Sequence, residues 1–307
     1  MVYRTRDETE RIAELMARAK EKPRPRRADE GPRFRLEDFG AVLGLGPTLE
    51  DRAADLLGRL AFIDPRTREI TTPPFAKRGS RPLDVSRDGR QVLFLTLRRG
   101  SAHVFEYRAD TGDVVALTHG KLDELDASYG PGGRIAFVRR TALRADRPGG
   151  YRVFLWEPGG GAAQPLTEGP ADHRPAWSPD GEFLIYQTID SAGGEALARV
   201  DLEGDRAPKL LARGIGPSFT PDGKWVVYTA RTRAGLKLWK MHPDGTGKRR
   251  LGSSPHDESD PAVSPDGRFV VFVSVQEDRN RLVVRSMDGR GGDRPLITNG
   301  EGLRPVW

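Results

Sequence analysis

The chain contains no cysteine among its 307 residues, which excludes disulfides and thiolate metal centres outright. It has no apolar run approaching the roughly 20 residues of a membrane-spanning helix, so no membrane span is expected. The first residues, Met1-Val2-Tyr3-Arg4-Thr5-Arg6-Asp7-Glu8, lack the apolar core of a secretory leader. Taken as written the chain reads as cytoplasmic, and a periplasmic location is the alternative if a leader has been trimmed. Histidine is scarce, with five residues, and no Gly-x-Ser-x-Gly pentapeptide occurs: Gly252-Ser253-Ser254-Pro255-His256 fails at its last position.

Glycine and proline are abundant, 36 and 24 residues. They fall at periodic turns rather than in low-complexity tracts. The tetrads are Ser86-Arg87-Asp88-Gly89, Tyr129-Gly130-Pro131-Gly132, Ser178-Pro179-Asp180-Gly181, Thr220-Pro221-Asp222-Gly223 and Ser264-Pro265-Asp266-Gly267. An aromatic follows each tetrad: Phe94, Phe137, Tyr186, Tyr228 and Phe272. The last glycines of successive tetrads lie 42 to 49 residues apart, the length of one four-stranded propeller blade. Proline presets φ, aspartate bonds nearby backbone and glycine takes positive φ, so each tetrad reverses the chain. The short apolar runs after it, such as Phe183-Leu184-Ile185-Tyr186 and Trp225-Val226-Val227-Tyr228, read as buried strands. A second hairpin, turning at sites such as Pro243-Asp244-Gly245 and Met287-Asp288-Gly289, completes four strands per repeat.

The chain ends carry a topological clue. Inner strands precede the tetrads as Pro175-Ala176-Trp177, Pro217-Ser218-Phe219 and Pro261-Ala262-Val263, and the sequence stops at Pro305-Val306-Trp307. Residues 61–70 match the second hairpin of a blade with no full tetrad before it. A composite blade, inner strand from the C-terminus and outer strands from the N-terminal region, would leave no open sheet edge. The predicted fold is all-β: a six-bladed β-propeller of four-stranded blades with a short, partly helical N-terminal extension. Residues 1–33 form a basic, flexible extension in which 7–20 has helical spacing. Residues 34–60 are a short helical segment packing on the propeller, with a helix over about Thr48 to Leu60. Residues 61–307 are the propeller.

The sequence Pro175-Ala176-Trp177-Ser178-Pro179-Asp180-Gly181, with blade ends such as Leu117-Thr118 and Leu166-Thr167, resembles the WD40-like (PD40) repeat of TolB-type propellers. The resemblance covers about residues 80 to 307 and is weakest in the second repeat. Too few residues precede position 60 to supply the α/β domain that TolB carries. The resemblance implies a non-catalytic scaffold, a monomer, that binds a protein or peptide partner at the mouth of its central channel. TolB-like propellers are also commonly exported. Propellers of this type are similar to the lid of prolyl-oligopeptidase-like enzymes as well, but the absent nucleophile elbow argues against that activity.

The residues just ahead of the inner strands should sit at the channel mouth. They are Arg81, Asp84, Asp123, Asp126, His173, Arg174, Glu258, Asp260 and Arg304, with Glu124, Asp172, Ile215, Asp257 and Leu303 beside them. Acids outnumber bases, which suits a basic peptide or a hard cation such as Ca²⁺, though no cofactor is required. The alternative is a metal-dependent, lyase-like enzyme or a carbohydrate-binding propeller using His173, His256 and nearby carboxylates. The turn aspartates Asp88, Asp180, Asp222 and Asp266 read as structural. So do Trp177, Phe219 and Trp307, as packing between blades. Net charge is +6, and residues 1–33 hold ten basic against seven acidic side chains. No aromatic lies between Tyr3 and Phe34 to stack on bases, so specific nucleic-acid binding is not expected.

Overall fold

The computed structural model describes residues 41–45, 59–64, 67–76, 80–98, 101–142, 149–276, 279–296 and 302–307. The expected helix over 7–20, the basic tether, and most of the expected helix over 48–60 lie outside these residues.

Among the described residues every element except one 3-10 turn, Pro131–Gly133, is a strand, and these strands form six four-stranded sheets. The first sheet joins both ends of the chain: β1 (Ala41–Leu45), β2 (Arg59–Ile63) and β3 (Ile70–Thr71) lie beside β24 (Gly302–Val306), in the order β24-β1-β2-β3. The other sheets are built from consecutive strands. They comprise β4 (Arg81–Val85), β5 (Gln91–Arg98), β6 (Ser101–Arg108) and β7 (Val114–Ala116); then β8 (Glu124–Tyr129), β9 (Ile135–Thr141), β10 (Gly150–Trp156) and β11 (Gln164–Pro165). Next come β12 (His173–Trp177), β13 (Phe183–Ile189), β14 (Glu195–Asp201) and β15 (Lys209–Arg213), followed by β16 (Ile215–Phe219), β17 (Val226–Thr232), β18 (Gly235–Met241) and β19 (Arg249–Arg250). The last consecutive sheet is β20 (Asp257–Val263), β21 (Phe269–Gln276), β22 (Arg279–Ser286) and β23 (Arg294–Pro295). This is an all-β propeller of four-stranded blades. The expected helix does not extend to Leu60, which is a wholly buried residue of β2 packed with Phe62, Val92 and Phe94.

The second strand of each consecutive blade is apolar on both faces because it is sandwiched between neighbouring blades. Val92, Leu93, Leu184, Ile185, Val226, Val227, Val270 and Val271 are all fully buried. Each such fully buried Val, Leu or Ile side chain stabilises the fold by roughly 1.5–3 kcal/mol on leaving water.

The tetrad works as a small hydrogen-bonded device. Ser178 Oγ donates to Asp180 Oδ1 at 2.6 Å and accepts the Phe183 amide at 3.1 Å, while the Glu182 amide donates to the same Asp180 oxygen at 3.0 Å. Ser86, Thr220 and Ser264 repeat this pattern. The second repeat, lacking the Ser/Thr and Asp, turns through Pro131–Gly133 and closes with the Gly130 amide on Arg134 O at 2.8 Å.

The inner strands β4, β8, β12, β16, β20 and β24 each neighbour the next, and β24 neighbours both β20 and β4. Polar latches run between them. Trp177 Nε1 donates to Ser128 O at 3.2 Å and Trp307 Nε1 to Ala262 O at 2.9 Å. Asp84 Oδ2 accepts the Tyr129 amide at 2.7 Å, and Ser218 Oγ accepts the Val263 amide at 3.0 Å. The inner-strand tryptophans therefore do join adjacent blades.

Candidate functional site: a charged bore

Each inner strand breaks register with its partner. The ladder shifts between Leu125 and Ala127, between His173 and Ala176, between Ile215 and Ser218, and between Ser259 and Ala262. Such bulges re-aim a side chain. The residues at them take positive φ: Asp126 (41°), Arg174 (49°), Gly216 (62°), Asp260 (52°) and, on the closing strand, Arg304 (52°). For a residue with a Cβ this costs on the order of 1–2 kcal/mol. Proline follows Arg174, Gly216, Asp260 and Arg304 and holds the chain extended immediately afterwards. These side chains line a central cavity of about 290 Å³, together with Asp84, Ser128 and Ser218.

Charges interlock across the bore between strands that are distant in sequence. Arg304 Nη2 donates to Asp126 Oδ1 at 2.7 Å, Arg81 stands 3.6 Å from the same oxygen, and His173 Nδ1 lies 3.5 Å from Oδ2. Arg174 Nη1 donates to Asp260 Oδ1 at 2.6 Å, with Arg304 Nε at 4.0 Å, while Ser259 Oγ donates to Oδ2. Burial alone would raise the Asp126 carboxyl, but Arg304, the His173 hydrogen bond, Arg81 and Arg174 hold it well below the ordinary carboxylate range. Asp260 is lowered in the same way: burial opposes, and Arg174 and Arg304 win. Burial, then Arg304, brings the Arg81 guanidinium down to about 10. Burial pushes Asp84 up to about 7 against the amides of Tyr129 and Val85 that it accepts.

Of the predicted residues, Arg81, Asp126, His173, Arg174, Asp260 and Arg304 come together in this ring, and Asp84 lines it from the next turn of the strand. Asp123 and Glu258 do not. Asp123 Oδ1 accepts the Ala102 amide at 3.0 Å, and Glu258 Oε2 accepts the Leu238 amide at 2.9 Å, each on the third strand of the preceding blade. Glu258 is fully buried against Arg285, and Glu124 is buried between His103 Nδ1 (2.7 Å) and Arg139 Nε (3.0 Å). Asp172 takes the Thr188 hydroxyl, and Asp257 takes the Leu236 amide. These carboxylates satisfy strand groups that would otherwise be left unpaired between blades. The expected acidic excess is therefore absent: three arginines, Arg81, Arg174 and Arg304, face three aspartates, Asp84, Asp126 and Asp260. The repeated pair Asp123-Glu124 and Asp257-Glu258 was the available signal of a shared structural role.

His256 is an exposed turn residue whose carbonyl receives Lys237 Nζ, so it does not join His173. Among the described residues no three His, Asp or Glu side chains gather as a cation cage. Sequence reasoning missed Gly216, naming Ile215 instead. A Cβ at Gly216 would come within 2.9 Å of Arg174 Nη1, so its absence makes room for that guanidinium. Aligning the x-Pro pairs 174-175, 216-217, 260-261 and 304-305 would have found it.

A ring of interlocked side chains, set on bulged inner strands around a common axis, defines this protein as a β-propeller with a charged bore. In sequence and fold it is similar to TolB-type propellers. It is 30% identical over 210 residues to the uncharacterized peptidase YuxL of Bacillus subtilis, covering 66% of this chain and 29% of that protein. It is 30% identical over 222 residues to the Tol-Pal system protein TolB of Anaeromyxobacter sp., covering 66% of this chain and 50% of that one. Crystalline TolB from Acinetobacter baumannii superposes with a TM-score of 0.71 at 20% identity, over 88% of this chain and 67% of that one. The chain spans half or less of these two curated relatives' length. No family model matches it. Among the described residues no helix is long and apolar enough to cross a membrane.

Proposed function

We propose that the protein is a six-bladed, non-catalytic propeller, closed by the sheet β24-β1-β2-β3, that acts as a monomer and receives a segment of a protein partner at the bore. The observation that carries this reading is the bore ring itself: four charged residues with a Cβ stand in a strained backbone conformation, aimed at a common cavity. Three arginines against Asp126, Asp260 and an Asp84 that burial pushes up to about 7 leave the bore slightly positive near neutral pH, which favours a partner segment with a net negative charge at its tip. Similarity to Tol-Pal system proteins points to a partner within a complex of that type and favours export over the cytoplasm. The test is site-specific photocrosslinking from Ser218 in the bore, in cells expressing the full chain. One discrete adduct, lost in Arg174→Glu and retained when the crosslinker is moved to exposed Leu210 only as background, is expected. Equal adducts from both positions would overturn the bore as the docking site.

A second reading rests on the similarity to YuxL, which is named a peptidase. Here the propeller would sit beside a hydrolase and screen peptides on their way to it. Labelling by a fluorophosphonate of any native polypeptide that reacts with antibodies to this chain would favour that reading, and absence of labelling would favour the scaffold.

A further inference from the structure

The blades repeat closely enough to serve as controls for one another. In the blade β12–β15, the Arg199 guanidinium lies 3.6 Å from the Phe183 ring centre, and Asp201 meets it at 2.6 Å and Lys209 at 3.4 Å. Lys209 stands opposite Arg199 across the outer ladder. One blade on, the ladder registers put Trp225 in the place of Phe183, Lys240 in that of Arg199 and Arg249 in that of Lys209. The cations again cover the ring, Lys240 Nζ at 5.1 Å and Arg249 at 4.4 Å from its centre.

The residue in the place of Asp201 is His242, and it turns aside. It stacks on Trp225 at 4.1 Å between ring centres, with Nδ1 3.1 Å from Lys224 O. Lys240 and Arg249 thus keep the arrangement of the sister blade without its carboxylate. Among the described residues neither forms an ion pair; Lys240 as a whole is only 7% exposed, and its ammonium donates to Met287 O. Burial, followed by Arg249, brings that ammonium below its ordinary range.

These cations open on a groove of about 830 Å³ between the blade β16–β19 and the following blade β20–β23, at the end where the tetrad turns lie, with Leu251 and Met287 in its floor and Arg250 and Arg290 at its rim. The carboxylates at its edge are already committed. Asp222, Asp266 and Asp288 each accept a hydroxyl and an amide from their own turn, and Lys224 and Arg268 sit on the first two.

We propose that this groove is a second binding site, for an acidic protein segment, and that a carboxylate of the segment enters between Lys240 and Arg249 where the sister blade has Asp201. A guanidinium already fixed by its ring presents its fork to a carboxylate with little left to order. The apolar floor accommodates the flanking side chains of a peptide.

The test is fluorescence anisotropy of fluorescein-labelled hexaglutamate titrated with the full chain at low salt. Saturable binding is expected, weakened about tenfold by Arg249→Gln, an exposed substitution. His242→Asp should weaken it as much while removing no cation, because the new carboxylate fills the vacancy from within. Asp201→His in the sister blade should raise the number of peptides bound per chain. Absence of saturable binding, or binding unchanged by both Arg249→Gln and His242→Asp, overturns the proposal. So does inorganic pyrophosphate displacing the peptide at concentrations far below those of the peptide itself, which would mark the groove as a phosphate site.

Discussion

Asp126 and Asp84 line one bore and respond to pH in opposite directions. The carboxyl of Asp126 is held well below its unfolded range by arginines. Its contribution is therefore complete above the unfolded value near 4 and is lost as pH falls below it. Asp84, raised by burial to about 7, contributes most below the unfolded value, and that contribution is lost as pH rises from about 4 through 7. Denaturant midpoints should accordingly decline across that window. Ser218, three blade-repeats away in the equivalent position, makes the same inter-blade bond with a hydroxyl. Asp84→Ser should thus keep the latch and flatten the decline, and a decline of unchanged slope in the variant would show that another group causes it. Asp126→Asn tolerates the positive φ and removes only the charge, leaving Arg304 and Arg81 facing each other. A loss of about 3 kcal/mol in urea unfolding is expected.

At the scale of the element, the tetrad shows why so much was legible. Its bonds run between residues at most five apart, so the sequence alone carries the whole device. Thr220 is nearly buried and both accepts the Trp225 amide and donates to Asp222. Thr220→Ala should cost about 1–2 kcal/mol by stranding that amide, and Thr220→Ser should cost far less. Equal losses in the two variants would assign the effect to the lost methyl instead. The bore was only partly legible for the opposite reason. Asp260 and Glu258 are two residues apart on one strand, which in a regular ladder would place them on one face. The bulge between Ser259 and Ala262 sends Asp260 into the bore and leaves Glu258 under Arg285. Binary periodicity assumes an unbroken ladder and so cannot anticipate a bulge, even one between consecutive strands.

At the scale of the molecule, the sheet shared by β1 and β24 ties the two ends together. Removing residues 303–307 takes away the strand beside β1, the Trp307 bond to Ala262 and the Arg304 pair with Asp126. The Tm should fall by more than ten degrees, since several kcal/mol of contacts are lost at once and each is worth about 2–4 degrees in a chain of this length. A Tm within a few degrees of the intact chain would mean that the remaining five sheets hold without the shared one.

That shared sheet also sets an order in time. While the chain is being made, β1 waits with its inner edge uncovered until every other blade has been synthesised, because its partner β24 follows all of them in the sequence. For that interval the protein carries an open strand edge and a bore missing Arg304, the state in which nascent chains are most exposed to mispairing and to proteases. Translation stalls just ahead of β24 should therefore be far more damaging to this fold than the five residues of that strand would suggest.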